Sequence, residues 1–233
     1  MKKNLLEIIN KITIQFIESS PNKRYDIAEK LEQSFEEYLQ SHPQDSKMWI
    51  KLALFVYNLP LADDFKAINC LKTVLIFDHN NYQAVLLLGY IKEFLCYIDD
   101  ELFHTLCKLI THDNEIASMI EYEKFFYYRY KQNKELIEQS LLKSISLYDK
   151  HVWNNIDLGR FYLSNKQFEK AKQYITNGFN NIQYVYQSND FRNGKLDPID
   201  VEEFFNERLK GIHLSCINYD ILKEQYDLIN TIY

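Results

Sequence analysis

The chain is predicted to be all-α, an array of about five helix–turn–helix units, on three observations. Glycine (5) and proline (4) are scarce among 233 residues, so the turn residues that punctuate sheets are largely missing. A triplet spaced 0, +4, +7, one face of a helix, recurs as Leu31/Phe35/Tyr38, Ala67/Leu71/Val74, Leu102/Leu106/Leu109, Ile137/Leu141/Ser144 and Ala171/Ile175/Gly178. The triplets begin 36, 35, 35 and 34 residues apart. Any single triplet could arise by chance, whereas one fixed period along most of a chain marks a repeat architecture.

The elements follow in order. Residues 2–19 read as an amphipathic helix covering the first unit. Glu7, Asn10 and Lys11 interrupt any signal-peptide core there, so a cytoplasmic location is expected. Polar, helix-ending segments come after four of the triplets: SHPQD (41–45), DHNN (78–81), HDNE (112–115) and YDKH (148–151). Between them lie further amphipathic helices, one opening at Trp49-Ile50-Lys51-Leu52-Ala53 and one carrying Leu88-Gly89. Asp63/Asp64 and Asp99/Asp100 are placed to cap helices rather than to do acid–base work.

The cleanest unit is DLGRFYLSNKQFEKAKQYITNGF, residues 157–179. It carries small residues, Gly159, Ala171 and Gly178, where helix backbones have to touch. Residues 181–187 either extend this unit or begin another helix, and 188–195 are a polar loop. LDPID then opens a helix, with Asp197 as N-cap, Pro198 in the first turn and Asp200 near N3. It runs to about Lys210, stops at Gly211, and a final helix spans roughly 216–231. Two domains are therefore expected: a repeat array over 1–186, and an acidic pair of capping helices over 187–233 packed on it.

Leu158-Gly159, Tyr162 and Ala171 in 152–185 carry a resemblance to the tetratricopeptide repeat (TPR) family, as do Trp49, Leu52, Ala53 and Ala67 in 46–81. Leu88-Gly89 does the same in 82–117, and Pro43 closes 11–45, while 118–151 is degenerate on its first helix. The resemblance implies a right-handed superhelical array with N- and C-terminal capping helices. It also implies a concave groove lined by positions 2, 5, 9, 12 and 13 of each first helix. Those positions include Tyr57, Tyr90, Glu93, Tyr122, Phe126, Arg129, Tyr130, Trp153 and Arg160. Members that grip a chaperone's C-terminal carboxylate use Lys and Asn at positions 5 and 9. This chain has Ile50, Leu86, Tyr122 and Ile156 at the first, and Leu54, Tyr90, Phe126 and Arg160 at the second, so that clamp is absent.

Few other chemistries find support. None of the six histidines joins a cluster with ligand spacing, so no metal is expected. Neither a Gly-rich phosphate loop nor a nucleophile elbow is present, so no cofactor, no catalytic residue and no enzyme activity are expected. With a net charge of −6 and no basic stripe, nucleic acid is not an expected partner. No apolar run is long enough to span a bilayer. The four cysteines form no CxxC pair and read as buried thiols in a reducing compartment.

What remains is binding to another protein, as a monomer or weak homodimer. EYEKFFYYRY (121–130) packs six aromatics and an arginine into ten residues. They either form binding hot spots, fill a tightly wound superhelix, or face a C-terminal helix folded back into the groove. The last 47 residues hold 9 acidic and 5 basic side chains, and Glu202, Glu203 and Glu207 there suit a basic partner. A weaker similarity, to bacterial immunity proteins, implies a partner with a basic toxin domain that the chain neutralises. The alternatives are a TPR scaffold, a secretion chaperone or a peptide-sensing regulator.

Overall fold

The computed structural model describes residues 4–58, 60–95, 99–185, 200–210 and 216–232, with side chains except those of 183–185, 206–210, 216–219 and 232. Among them are helices and no strand: α1 (Leu5–Glu18), α2 (Pro21–Ser41), α3 (Ser46–Tyr57), α4 (Asp64–Phe77), α5 (Tyr82–Phe94), α6 (Asp100–Lys108), α7 (Asn114–Tyr130), α8 (Lys134–Leu147), α9 (Val152–Ser164), α10 (Phe168–Val185), α11 (Val201–Lys210) and α12 (Cys216–Ile232). They fall into two units. In the first, the hairpins α1/α2 and α3/α4 stack through α2 and α3, and α5 packs on α3 and α4. In the second, α6 packs on α7, the hairpins α7/α8 and α9/α10 stack through α8 and α9, and α12 packs on α10. Since α1 pairs with α2, the helix expected to cover the first unit is that unit's own first helix.

Fourteen of the fifteen triplet residues are buried, so the recurring face is the core face of every second helix. Leu109 is the exception. α6 ends at Lys108, and Leu109 is extended (φ −63°, ψ 128°) because the β-branched pair Ile110-Thr111 supports helix poorly. Side chains of Asp45, Asp63, Asn81, Asp99, Asp113 and Asn133 accept N–H bonds at the starts of α3 to α8, Asp63 and Asp99 being the caps expected of the paired aspartates. Trp49 Nε1 donates to the Pro43 carbonyl at 2.9 Å, pinning the turn before α3. α10 takes in the extension from 181 and reaches Val185. α11 begins at Val201 rather than Pro198, and the expected cap and stop, Asp197 and Gly211, lie outside the described residues.

The α9/α10 hairpin is packed to backbone contact. A Cβ on Gly159 would lie 2.9 Å from the Ile175 amide nitrogen, and one on Gly178 2.8 Å from the Ile156 side chain. The degenerate α7/α8 hairpin buries three serines between its helices. Ser118 donates to the Ser144 carbonyl at 2.8 Å, Ser144 donates back to the Ser118 carbonyl at 2.9 Å, and Ser140 donates to the Glu121 carbonyl. Small hydroxyls thus permit the same close packing and satisfy themselves inside it.

Both hairpins turn in the same way. Gln132 (φ 56°) and Lys166 (φ 60°) sit in the left-handed region one residue past the C-caps of α7 and α9. Asn133 N–H reaches the Tyr128 carbonyl (3.0 Å) and Gln167 N–H that of Tyr162 (2.9 Å), the 6→1 bond of a Schellman motif. Only glycine adopts this conformation without strain. Gln132→Gly and Lys166→Gly are therefore each expected to stabilise the protein, by about 0.5–1 kcal/mol in urea unfolding. A loss of stability from both would mean that these side chains contribute contacts outweighing the strain.

Candidate protein-binding site

The inner positions of the expected groove are not open. Ile50, Leu54, Leu86, Tyr90, Tyr122, Phe126 and Ile156, which hold positions 5 and 9 of successive first helices, are all 5% exposed or less. All are apolar or aromatic, and burying such groups is favourable by about 25 cal/mol per Å². Arg160, at position 9 of α9, is half-buried. Its Nη1 donates to Asp157 Oδ1 (3.2 Å) and its Nε to Gln225 Oε1 of α12 (3.2 Å), while Tyr226 of α12 stacks on Phe179 of α10 at 4.4 Å. The C-terminal helix therefore lies against the last hairpin of the second unit.

The other groove candidates fall into place around these. In the first unit, half-buried Tyr57 meets Tyr90 edge-on at 5.8 Å, Glu93 is half-buried, and Phe94, which is 60% exposed, closes on Tyr90 at 5.0 Å. In the second, the Tyr122 hydroxyl donates to Asp157 Oδ2 at 2.7 Å, and Phe126 packs on Tyr122 and Phe125. Trp153 is half-buried beneath the Arg160 guanidinium, 5.7 Å away. Glu202 and Glu203 are exposed on α11, and the Glu207 side chain lies outside the described residues.

The C-terminal end of α7 differs from the rest. Arg129 is exposed, with its guanidinium carbon 4.8 Å from the Phe126 ring centre and 5.2 Å from that of Phe125. Both rings are buried, so an exposed cation lies on an apolar floor. Tyr130, next along the chain, is 61% exposed. Lys131 stands over the Tyr127 and Tyr130 rings (5.1 and 5.6 Å) and pairs with Asp100 at 3.1 Å. The Tyr127 hydroxyl also donates to Asp100, at 2.8 Å, and its ring stacks on Phe103 at 3.9 Å. The Tyr127 hydroxyl and the Lys131 ammonium together hold the Asp100 carboxyl below its usual range. This clasp fixes the start of α6 against the end of α7 and orients the cations beside it.

Sequence reasoning named Arg129 and Tyr130 as groove candidates but not the clasp, because Asp100 reads as a cap. The signal available was Lys131 following the aromatic run, with an acidic pair one unit earlier. The cysteines bring a correction: Cys70 is buried, which pushes its thiol up to about 12, but Cys107 is exposed because α6 turns that side to solvent. Cys96 and the Cys216 side chain lie outside the described residues.

No family model matches the chain, and no curated protein matches it. Solved structures resemble it. A MamA structure (41-end) from Desulfovibrio magneticus RS-1 aligns with a TM-score of 0.60 at 13% identity, over 81% of this chain and 100% of that one. Another MamA crystal structure gives 0.56 at 16% identity, over 72% of this chain and 96% of that one. TTC0263, a thermophilic TPR protein in Thermus thermophilus, gives 0.50 at 18% identity, over 78% and 91%. Identities this low speak for architecture alone, and the architecture they share with this chain is a TPR-like, all-α helical repeat.

Proposed function

We propose that this chain is a non-catalytic protein-binding module and that the exposed end of α7 is where it holds its partner. The reading rests on Arg129, kept exposed over two buried rings beside an exposed tyrosine. Arg and Tyr are enriched among binding hot spots, and a side chain already ordered in the free protein loses less entropy on binding. The test is co-purification from the cells that make the protein, followed by titration of the isolated partner. Replacing Arg129 and Tyr130 with Ala is expected to weaken binding at least tenfold, about 1.4 kcal/mol or more. Because both side chains are exposed, unfolding should move by no more than about 0.5 kcal/mol. Unchanged affinity would remove the site, and the absence of any stoichiometric partner would remove the function.

A narrower version is a bacterial immunity protein, acting in the cytoplasm, that binds and neutralises a cognate toxin. Exposed Glu202 and Glu203 favour it, as acidic side chains on the C-terminal segment that a basic toxin domain would meet. Such an inhibitor needs shape and charge complementarity but no reacting group. It calls for one dominant basic partner at one-to-one stoichiometry, inactive when bound. A scaffold, a secretion chaperone or a peptide-sensing regulator would instead show several weaker partners.

A further inference from the structure

In a chain of net charge −6, the turn edge of the second unit gathers five cations. Lys134 Nζ donates to Asn165 Oδ1 at 3.2 Å, bringing the turn after α7 against the turn after α9. Along this edge Arg129, Lys131, Lys134, Lys166 and Lys170 are exposed, with Tyr130 among them. Several of the five are held in place: Lys131 by Asp100, Lys134 by Asn165, and Lys170 over the Tyr162 ring at 4.8 Å. The exposed acids beside them are Asp100, already paired, its neighbour Glu101, and Glu135 and Glu169. Glu138 is half-buried and accepts from the Tyr162 hydroxyl at 2.6 Å. Among the described residues no carboxylate lies within ion-pairing distance of Arg129, whose guanidinium is oriented by two rings instead.

We infer that this edge docks an acidic segment of a partner protein. Arg129 accepts a carboxylate on its planar fork, Lys134 and Lys166 supply further attraction, and Tyr130 covers an apolar side chain next to the acid. Resting the guanidinium on apolar rings limits its hydration on one face and fixes the fork, which favours bidentate pairing over a loose ion contact. A protein segment fits better than nucleic acid. The cations alternate with Glu135 and Glu169 over a few residues, and the overall negative charge repels a long, evenly charged polyanion. The inference rests on the protein-binding reading and adds the chemistry of what is bound.

The test uses the full chain and a fluorescein-labelled synthetic peptide of about twelve residues, Glu-rich with interspersed Leu, followed by anisotropy. Saturable binding is expected at low ionic strength, weakening as salt rises to about 0.15 M, where the Debye length is near 8 Å. Arg129→Glu with Lys134→Glu should weaken it at least tenfold. Lys23→Glu with Lys30→Glu, the same charge change at exposed positions of α2, should leave it within about twofold. Four results overturn the inference: no saturable binding, equal loss in the two double variants, tighter binding of a Lys-rich peptide, or tighter binding of a single-stranded RNA of equal length. A native partner held by a chain that ignores the acidic peptide would retire this edge and leave the protein-binding function standing. Peptide binding without any native partner would do the opposite.

Discussion

Gly159→Ala is expected to destabilise the protein by about 2 kcal/mol, despite placing a better helix former in the middle of α9. The added methyl would sit 2.6 Å from Ile175 Cγ1, 2.9 Å from the Ile175 amide nitrogen and 3.2 Å from the Ala171 carbonyl oxygen. A side-chain atom can rotate away, but the two backbone atoms move only if α9 and α10 separate. Helix propensity returns up to about 1 kcal/mol of the loss, since glycine is that much worse than alanine in a helix interior. Gly178→Ala makes the internal control. Its closest neighbours are Cγ1 and Cδ1 of Ile156, both at 2.8 Å, with one backbone oxygen, that of Val152, at 3.1 Å. Repacking of Ile156 can relieve most of that clash, so the loss should be smaller. Urea unfolding of both variants checks the ordering. Gly159→Ala at or above wild-type stability would show that the hairpin is not held at backbone contact.

The same close approach is what made the fold readable. Wherever a helix face must bury, its residues recur at +4 and +7, and the 34–36-residue spacing of such faces placed the second helix of each repeat, α2, α4, α6, α8 and α10, although α6 packs on α7 and α5 belongs to the other unit. Serine was harder to read. Ser118 and Ser140 look like surface residues until their hydroxyls are seen bonding to backbone carbonyls across α7 and α8, although Ser144 already stood at a core position of its triplet. Of the candidate site, only the far end of each first helix was legible. Positions 12 and 13 remain at least partly accessible at Phe94, Arg129, Tyr130 and Leu163. Positions 5 and 9 do not, half-buried Arg160 apart, and their apolarity was the sign: Ile50, Leu54, Leu86 and Ile156 have nothing to offer a polar ligand in an open groove. The charge contrast between the α7 edge and the exposed Glu202-Glu203 pair needs three dimensions, because Lys134 and Lys166 are 32 positions apart in sequence and meet only through Asn165.

Phe126→Ala is expected to be the most damaging single change at the α7 end, and to act through folding rather than through contact with a partner. Phe126 is 5% exposed and touches Tyr122 at 5.1 Å and Phe125 at 4.8 Å between ring centres. Truncating a buried phenylalanine costs about 3–5 kcal/mol, which lowers the melting temperature by on the order of 10 °C in a chain of this size. Tyr122→Ala should behave alike, since its ring is 3% exposed and its loss would leave Asp157 without the 2.7 Å hydroxyl bond. Tyr130→Ala, at 61% exposure, should stay within about 0.5 kcal/mol of wild type. A triple variant at 122, 126 and 130 would therefore unfold for reasons that have nothing to do with binding. The informative comparison is between single variants, with partner affinity corrected for the fraction folded. Phe126→Ala also removes half the floor beneath Arg129, so even the folded fraction should bind less tightly than wild type. If Phe126→Ala melts like wild type, the ring is not part of the core of the second unit. If its folded fraction binds as wild type does, the orientation of Arg129 does not depend on the ring below it.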